Sequence, residues 1–258
     1  MKYIEVTVED SIAIVSLQRE NAANALSQAM IKEITAQLDE WKLNAAIRAI
    51  IVTGAGEKGF CAGADLKERR GMSELEVRGA VGAIRDMINK LAEMPMPVIA
   101  AINGAAIGGG LELALACDLR IGADHATFAL TETSLGIIPG AGGTQRLPRV
   151  IGVQRAKEMI YTGKNIDAVS AYEWGLLMKV VPPMKLIEEG KQLARQIVRN
   201  GPIAIRQAKY ALNHGLEVDI QTGLKLEEKA YEVTIPTKDR LEGLLAFKEK
   251  RKPNFTGE

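Results

Sequence analysis

Two glutamates, Glu112 and Glu132, stand in stretches that hold almost no other charge. Glu112 is flanked by Leu111, Leu113, Ala114, Leu115 and Ala116, and Glu132 follows Phe128, Ala129, Leu130 and Thr131. A carboxylate among apolar neighbours loses hydration, which raises its pKa toward the range useful for proton transfer. Two such groups flanking one water would suit addition across a polarised double bond. Taken singly, each has a commoner structural reading. Glu112 would pair with an arginine or face solvent, and Glu132 would be a first-turn helix glutamate. Spacing alone does not bring them together.

Three glycine-rich stretches surround these residues. Gly59–Asp65 and Asn103–Gly110 are read as loops that each follow a strand, and the second runs into the strongly helical Leu111–Ala116. The first N–H groups of a helix lack intrahelical acceptors and carry partial positive charge. Glycine there lets a ligand oxygen approach the backbone. Two such loops converging on one carbonyl would form an oxyanion hole. Either loop alone reads more simply as a tight turn. Gly136–Thr144 is a third loop, suited to holding a water or wrapping a ligand. Gly54-Ala55-Gly56-Glu57-Lys58-Gly59 matches a dinucleotide-binding fingerprint, but no helix opens inside it, so that reading is rejected.

The elements that must carry these residues follow from periodicity. Alternation over residues 3–8 and 12–17, with a turn at Glu9–Ser11, predicts a β-hairpin. Ser27 and Ser73 read as N-caps of helices reaching about Lys42 and Glu93. Arg48–Thr53 and Val98–Ile102 are apolar runs typical of strands buried on both faces. Helices are expected at 153–161, 168–174, 186–199, 203–215 and 219–234, with one strand at 177–181. The expectation is an α/β core with parallel strands, then a helical C-terminal part, with a soft boundary near Pro182–Pro202.

Of the 258 residues, 47% are apolar and 25% charged, as in an ordinary globular chain with room for a sizeable core. The net charge of +1 provides no overall field for nucleic acid or an anionic membrane. No apolar run spans a bilayer and the first residues lack signal-peptide character. Two distant cysteines, Cys61 and Cys117, suggest a reducing compartment, so a cytoplasmic location is expected. His125 and His214 are too isolated for a typical zinc site, so no metal is expected.

Three stretches together resemble the enoyl-CoA hydratase/isomerase (crotonase) superfamily: Phe60–Lys67, Ala106–Ala114 and Glu132–Leu147. The resemblance implies a ββα spiral core, set at residues 1–195, and a helical trimerisation region at 196–258. It implies that the N–H groups of Ala64 and Gly109 form the oxyanion hole. Glu112 would activate water, Glu132 would supply the α-proton, and Gly140 would help hold the water. Coenzyme A would meet Ala62, Ala64 and Lys67, with Tyr231 and Lys250 completing a neighbouring subunit's site. The partners implied are an acyl-CoA and further copies of the chain, as a homotrimer or homohexamer, with no cofactor beyond the coenzyme A of the substrate. Both glutamates together favour hydration over isomerisation.

Within the family the chain looks most like the methylglutaconyl-CoA hydratase branch, which includes an AU-rich-RNA-binding member, through Thr234–Arg251. That member's lysine comb is reduced here to Gln28, Lys32 and Ala36, so no nucleic-acid partner is expected. Glu20 stands after Arg19 where the family usually has proline. Acyl-chain preference is assigned to walls drawn from Met72–Met87 and Ile137–Ile138.

Overall fold

The computed structural model describes all residues, 1–258. The chain opens with β1 (Ile4–Glu9) and β2 (Ile12–Leu17), an antiparallel hairpin. Its turn residues Asp10 and Ser11 both have positive φ, as a two-residue hairpin loop requires. Helix α1 (Gln28–Leu43) starts where the Ser27 side chain accepts the Met30 N–H. Three ββα units follow. The first is β3 (Ala49–Gly54), β4 (Gly59–Cys61), α2 (Leu66–Arg69) and α3 (Glu74–Ala92). The second is β5 (Val98–Ile102), β6 (Ala105–Ile107) and α4 (Gly109–Ala116). The third is β7 (Leu119–Ala123), β8 (Thr127–Ala129), α5 (Gly143–Ile151) and α6 (Val153–Thr162). Then come β9 (Ile166–Asp167), α7 (Ala168–Glu173), β10 (Lys179–Val181), α8 (Leu186–Val198), α9 (Pro202–Gly215), α10 (Ile220–Thr234) and α11 (Lys238–Glu249).

Each unit splits its strands between two sheets. The first strands enter a six-stranded sheet of order β1-β2-β3-β5-β7-β10, and the second strands enter a four-stranded sheet of order β4-β6-β8-β9. Apart from the β1–β2 and β8–β9 pairs, all pairings are parallel. This is the spiral that the resemblance implies. Strands β3 and β5 are buried throughout, and alternate residues feed separate cores. Ile50, Val52, Val98 and Ala100 join the larger core with α1, α3 and α4. Ile51, Ile99, Ala101 and Ile121 form the smaller one under Leu186 and Ala194 of α8. Helix α8 therefore belongs with the sheet, and a boundary at residue 195 falls inside it.

Short second strands explain where the sequence reading fell short. Gly59–Cys61 and Ala105–Ile107, expected as loop, are β4 and β6. Strands of this length give a period of two nothing to register on. Helix α11, capped by the Thr237 hydroxyl, was not anticipated as a helix either.

Helix α9 is tied to the core by a largely buried ion pair. Lys209 Nζ of α9 lies 2.7 Å from Asp118 Oδ2 and donates to the Met96 carbonyl at 3.1 Å. The same Asp118 oxygen accepts the Val98 N–H at 2.7 Å. Leu212, Leu216, Ile220 and Phe247 on these helices face solvent in the single chain.

Candidate active site

The first ββα unit carries one wall of the site. After β4, Leu26 and Ala64 form a parallel bridge, in which the Leu26 N–H donates to Gly63 O at 2.7 Å and the Asp65 N–H donates to Leu26 O at 3.3 Å. That pattern turns the N–H of Ala64 away from the bridge, and it donates to no backbone carbonyl. Asp65 then caps α2, accepting from Lys67 N and Glu68 N, and is held by Arg19 Nη2 at 2.8 Å.

The second unit brings α4 against that wall. Gly108 precedes the helix with φ of 54°, a conformation that favours glycine. Its N–H bonds Ala129 O of β8, and its carbonyl takes the Glu112 N–H. The next N–H, of Gly109, donates to no backbone acceptor. A Cβ on Gly109 would sit 3.5 Å from Ala64 N, and one on Gly63 would sit 2.8 Å from Gly109 N. The two free donors are therefore neighbours, at the positions expected.

Glu112 is buried, one turn into α4. Its Oε1 accepts the N–H groups of Ala141 and Gly143, each at 2.8 Å. The third glycine-rich loop thus clasps the carboxylate, because Gly142, at φ of 110°, turns two nearby N–H groups onto one oxygen. Arg146 pins the loop from behind, donating to Ala141 O at 3.0 Å and to Asn89 Oδ1 of α3 at 2.8 Å. Burial lifts the Glu112 pKa above the ordinary carboxylate range, against the pull of the two N–H groups, Arg146 and Arg69.

Glu132 begins a 3-10 turn, Glu132–Leu135, that is tied to α6 by the Thr133 hydroxyl donating to Ile160 O at 2.6 Å. Its Oε2 is buried without a hydrogen-bond partner. A Cβ on Gly108 would meet its Oε1 at 3.1 Å, so glycine there leaves the carboxylate its space. Burial, reinforced by the charge of Glu112, pushes its pKa up to about 7. A half-buried carboxyl of that pKa, with one oxygen unpartnered, can carry a proton at neutral pH and release it.

Both glutamates line one cleft of about 510 Å³, together with Ala62, Ala64, Gly109 and Gly140. Val77, Val81 and Ile84 of α3, with Ile137 and Ile138, supply apolar wall, within the stretches expected for it. The remaining expected residues lie elsewhere. Lys67 is exposed on α2 beside the cleft, Tyr231 is exposed on α10, and Lys250 ends α11. None of the three lines the cleft in the single chain. Sequence reasoning missed Arg69, which lines the cleft, and Arg146, which holds the loop. Arg69 sits in the charged run Lys67-Glu68-Arg69-Arg70, on a helix too short for periodicity to single it out.

Comparison with known proteins gives the family. The family model described as enoyl-CoA hydratase/isomerase matches residues 7–258. The Bacillus subtilis protein YngF, named as a candidate enoyl-CoA hydratase/isomerase, is 55% identical over 96% of this chain and 95% of its own. The human mitochondrial methylglutaconyl-CoA hydratase is 49% identical over 96% of this chain and 74% of its own. The crystal structure of an enoyl-CoA hydratase from Bacillus anthracis superposes with a TM-score of 0.98 at 56% identity, covering 99% of this chain and 100% of that one. With its two interleaved sheets, its paired glycine-rich turns and near full-length similarity, the chain belongs to the enoyl-CoA hydratase/isomerase (crotonase) family.

Proposed function

We propose that the protein hydrates an enoyl-CoA thioester, adding water syn across the α,β double bond to give the 3-hydroxyacyl-CoA. The observation that carries this reading is the convergence of Glu112 and Glu132 on one cleft beside two unclaimed backbone N–H groups. In this scheme the thioester oxygen sits between the N–H groups of Ala64 and Gly109, which stabilise the negative charge that develops there. Glu112, oriented through Oε1 by Ala141 and Gly143, takes a proton from water through its other oxygen as that water attacks Cβ. The Gly140 N–H helps hold the water. Glu132 delivers the proton to Cα, completing an acid–base exchange across one face of the double bond. Ala62, Ala64 and Lys67 would take the coenzyme.

A crotonyl-CoA hydration assay tests this. Glu112→Gln and Glu132→Gln should each cut kcat by about 10²-fold or more, with thioester affinity largely kept. Full activity in either variant removes the assignment. An isomerised enoyl product in place of the 3-hydroxyacyl thioester would favour the isomerase reading.

A second reading is favoured by the 49% identity to human methylglutaconyl-CoA hydratase. On that reading the acyl group is the branched 3-methylglutaconyl unit of leucine breakdown. We also propose a cytoplasmic homotrimer or dimer of trimers, in which the exposed apolar side chains of α9, α10 and α11 are covered. Tyr231 and Lys250 would then complete a neighbour's coenzyme site. No helix is long and apolar enough to cross a membrane.

A further inference from the structure

The loop that clasps Glu112 is a partition one chain thick. Ala141 lines the cleft, Gly142 lines a separate polar hollow of about 530 Å³, and Gly140 lines both. Arg146 of α5 is half-buried on the hollow side beside Asn89, and it does not line the cleft. Its guanidinium donates to Ala141 O at 3.0 Å and to Asn89 Oδ1 at 2.8 Å. Its backbone N–H donates to Gly142 O at 2.8 Å. Arg146 therefore holds both carbonyls of the turn whose flanking N–H groups, of Ala141 and Gly143, are bonded to Glu112. The Gly142–Gly143 peptide is gripped at both ends, its carbonyl by Arg146 and its N–H by the carboxylate, and each bond polarises the other. Gly142 is matched to this arrangement, because a Cβ there would collide with Arg146 Nη1. Asn89 belongs to α3, the helix that gives the cleft Val77, Val81 and Ile84. The guanidinium thus ties the clasping loop to the wall of the cleft.

We infer that Arg146, anchored by Asn89, is a positioning residue for Glu112: from outside the cleft it holds two N–H groups on one carboxylate oxygen and so keeps the base aimed and ionised. This rests on the hydratase reading, in which Glu112 is the base. The cations acting on Glu112 are Arg146 of α5 and Arg69 of α2, with Glu132 the nearby like charge. Glu93 acts in turn on Arg146, and Arg85, Arg149 and Glu217 border the hollow. Burial of Glu112 opposes its ionisation. Loss of the Arg146 charge and clamp leaves that burial less opposed, so protonation of Glu112 moves to higher pH.

Hydration of crotonyl-CoA measured against pH, beside equilibrium binding of the non-reacting butyryl-CoA, tests the inference. In Arg146→Gln, kcat should fall by about 10-fold or more, as for a misplaced catalytic group. The acid limb of kcat/KM should move to higher pH with the alkaline limb in place, and butyryl-CoA affinity should be kept. Arg146→Lys should bring the acid limb back and recover only part of kcat, since an ammonium keeps the charge but not the fork. Asn89→Ala keeps the charge and releases its anchor, so kcat should fall with little movement of the limb; it carries the test should Arg146→Gln not fold. An unmoved acid limb in Arg146→Gln, or full kcat in Asn89→Ala, overturns the inference. So does an equal loss of butyryl-CoA affinity, the mark of a merely structural residue. Infrared titration of the carboxylates, with Glu112→Gln subtracted, follows the same shift without substrate. Absence of crotonyl-CoA turnover in the unmodified protein therefore sinks the hydratase reading alone.

Discussion

At the scale of single residues the two carboxylates sit in different surroundings, Glu112 buried and Glu132 half-buried. Glu112 has one oxygen fixed by two N–H groups, while Glu132 has a buried oxygen with no partner. The two N–H groups pull Glu112 toward the ionised form against the lift from burial, and the partnerless oxygen of Glu132 favours the protonated form, which suits a base and an acid. The kcat/KM profile for hydration should therefore be bell-shaped, with an alkaline limb near pH 7 as the pair loses the acid's proton. The same shift bears on stability. The folded pKa of Glu132 is about 7 against 4.5 for the free group, so its contribution is complete below pH 4.5 and is lost as pH rises through 7. Glu132→Gln removes that loss. Its Tm should exceed that of the unmodified protein by about 2–4 °C at pH 8, with no gain at pH 4, as differential scanning fluorimetry would show.

At the scale of elements, the site depends on how closely α4 lies against β4. A Cβ on Gly110 would stand 1.9 Å from the Cys61 carbonyl oxygen, whereas one on Gly109 would meet nothing nearer than 3.4 Å. Gly110 is therefore glycine for packing, while Gly109 keeps room beside a free N–H. Gly110→Ala should destabilise the fold by about 3 kcal/mol, read from urea unfolding, by prising the helix and Glu112 away from the strand. Much of this level was legible in the sequence. Ser27 and Ser73 cap α1 and α3 as expected, and the boundaries of α6 to α10 lie within a residue or so of those anticipated. The short strands β4, β6 and β8 were not legible as a second sheet, because their pairing comes from successive turns of the spiral and not from local pattern.

At the scale of the whole molecule, α9 is held by Lys209 where the chain leaves the spiral. Lys209→Ala would strand a mostly buried Asp118 that retains only the Val98 N–H. We expect a loss of about 3 kcal/mol, with limited proteolysis cutting first at the turn around Arg199–Gly201. On α1, Gln28, Lys32 and Ala36 are all solvent-exposed and share one face.

What the sequence by itself determined was the family and the α/β class, and with the family's motifs the candidate set of Glu112, Glu132, Ala64 and Gly109. These are written in local motifs, where glycine freedom and apolar flanks leave a mark on neighbouring positions. What only the tertiary structure decided was how they meet. The clasp on Glu112 joins α4 to a loop about thirty residues downstream, as in the 29-residue separation of its bond to Ala141. The partnerless Glu132 oxygen and the place of Arg69 in the cleft are defined by what surrounds them in space. No local spacing encodes an absence of neighbours, so only the folded chain reveals which groups remain free to act on a substrate.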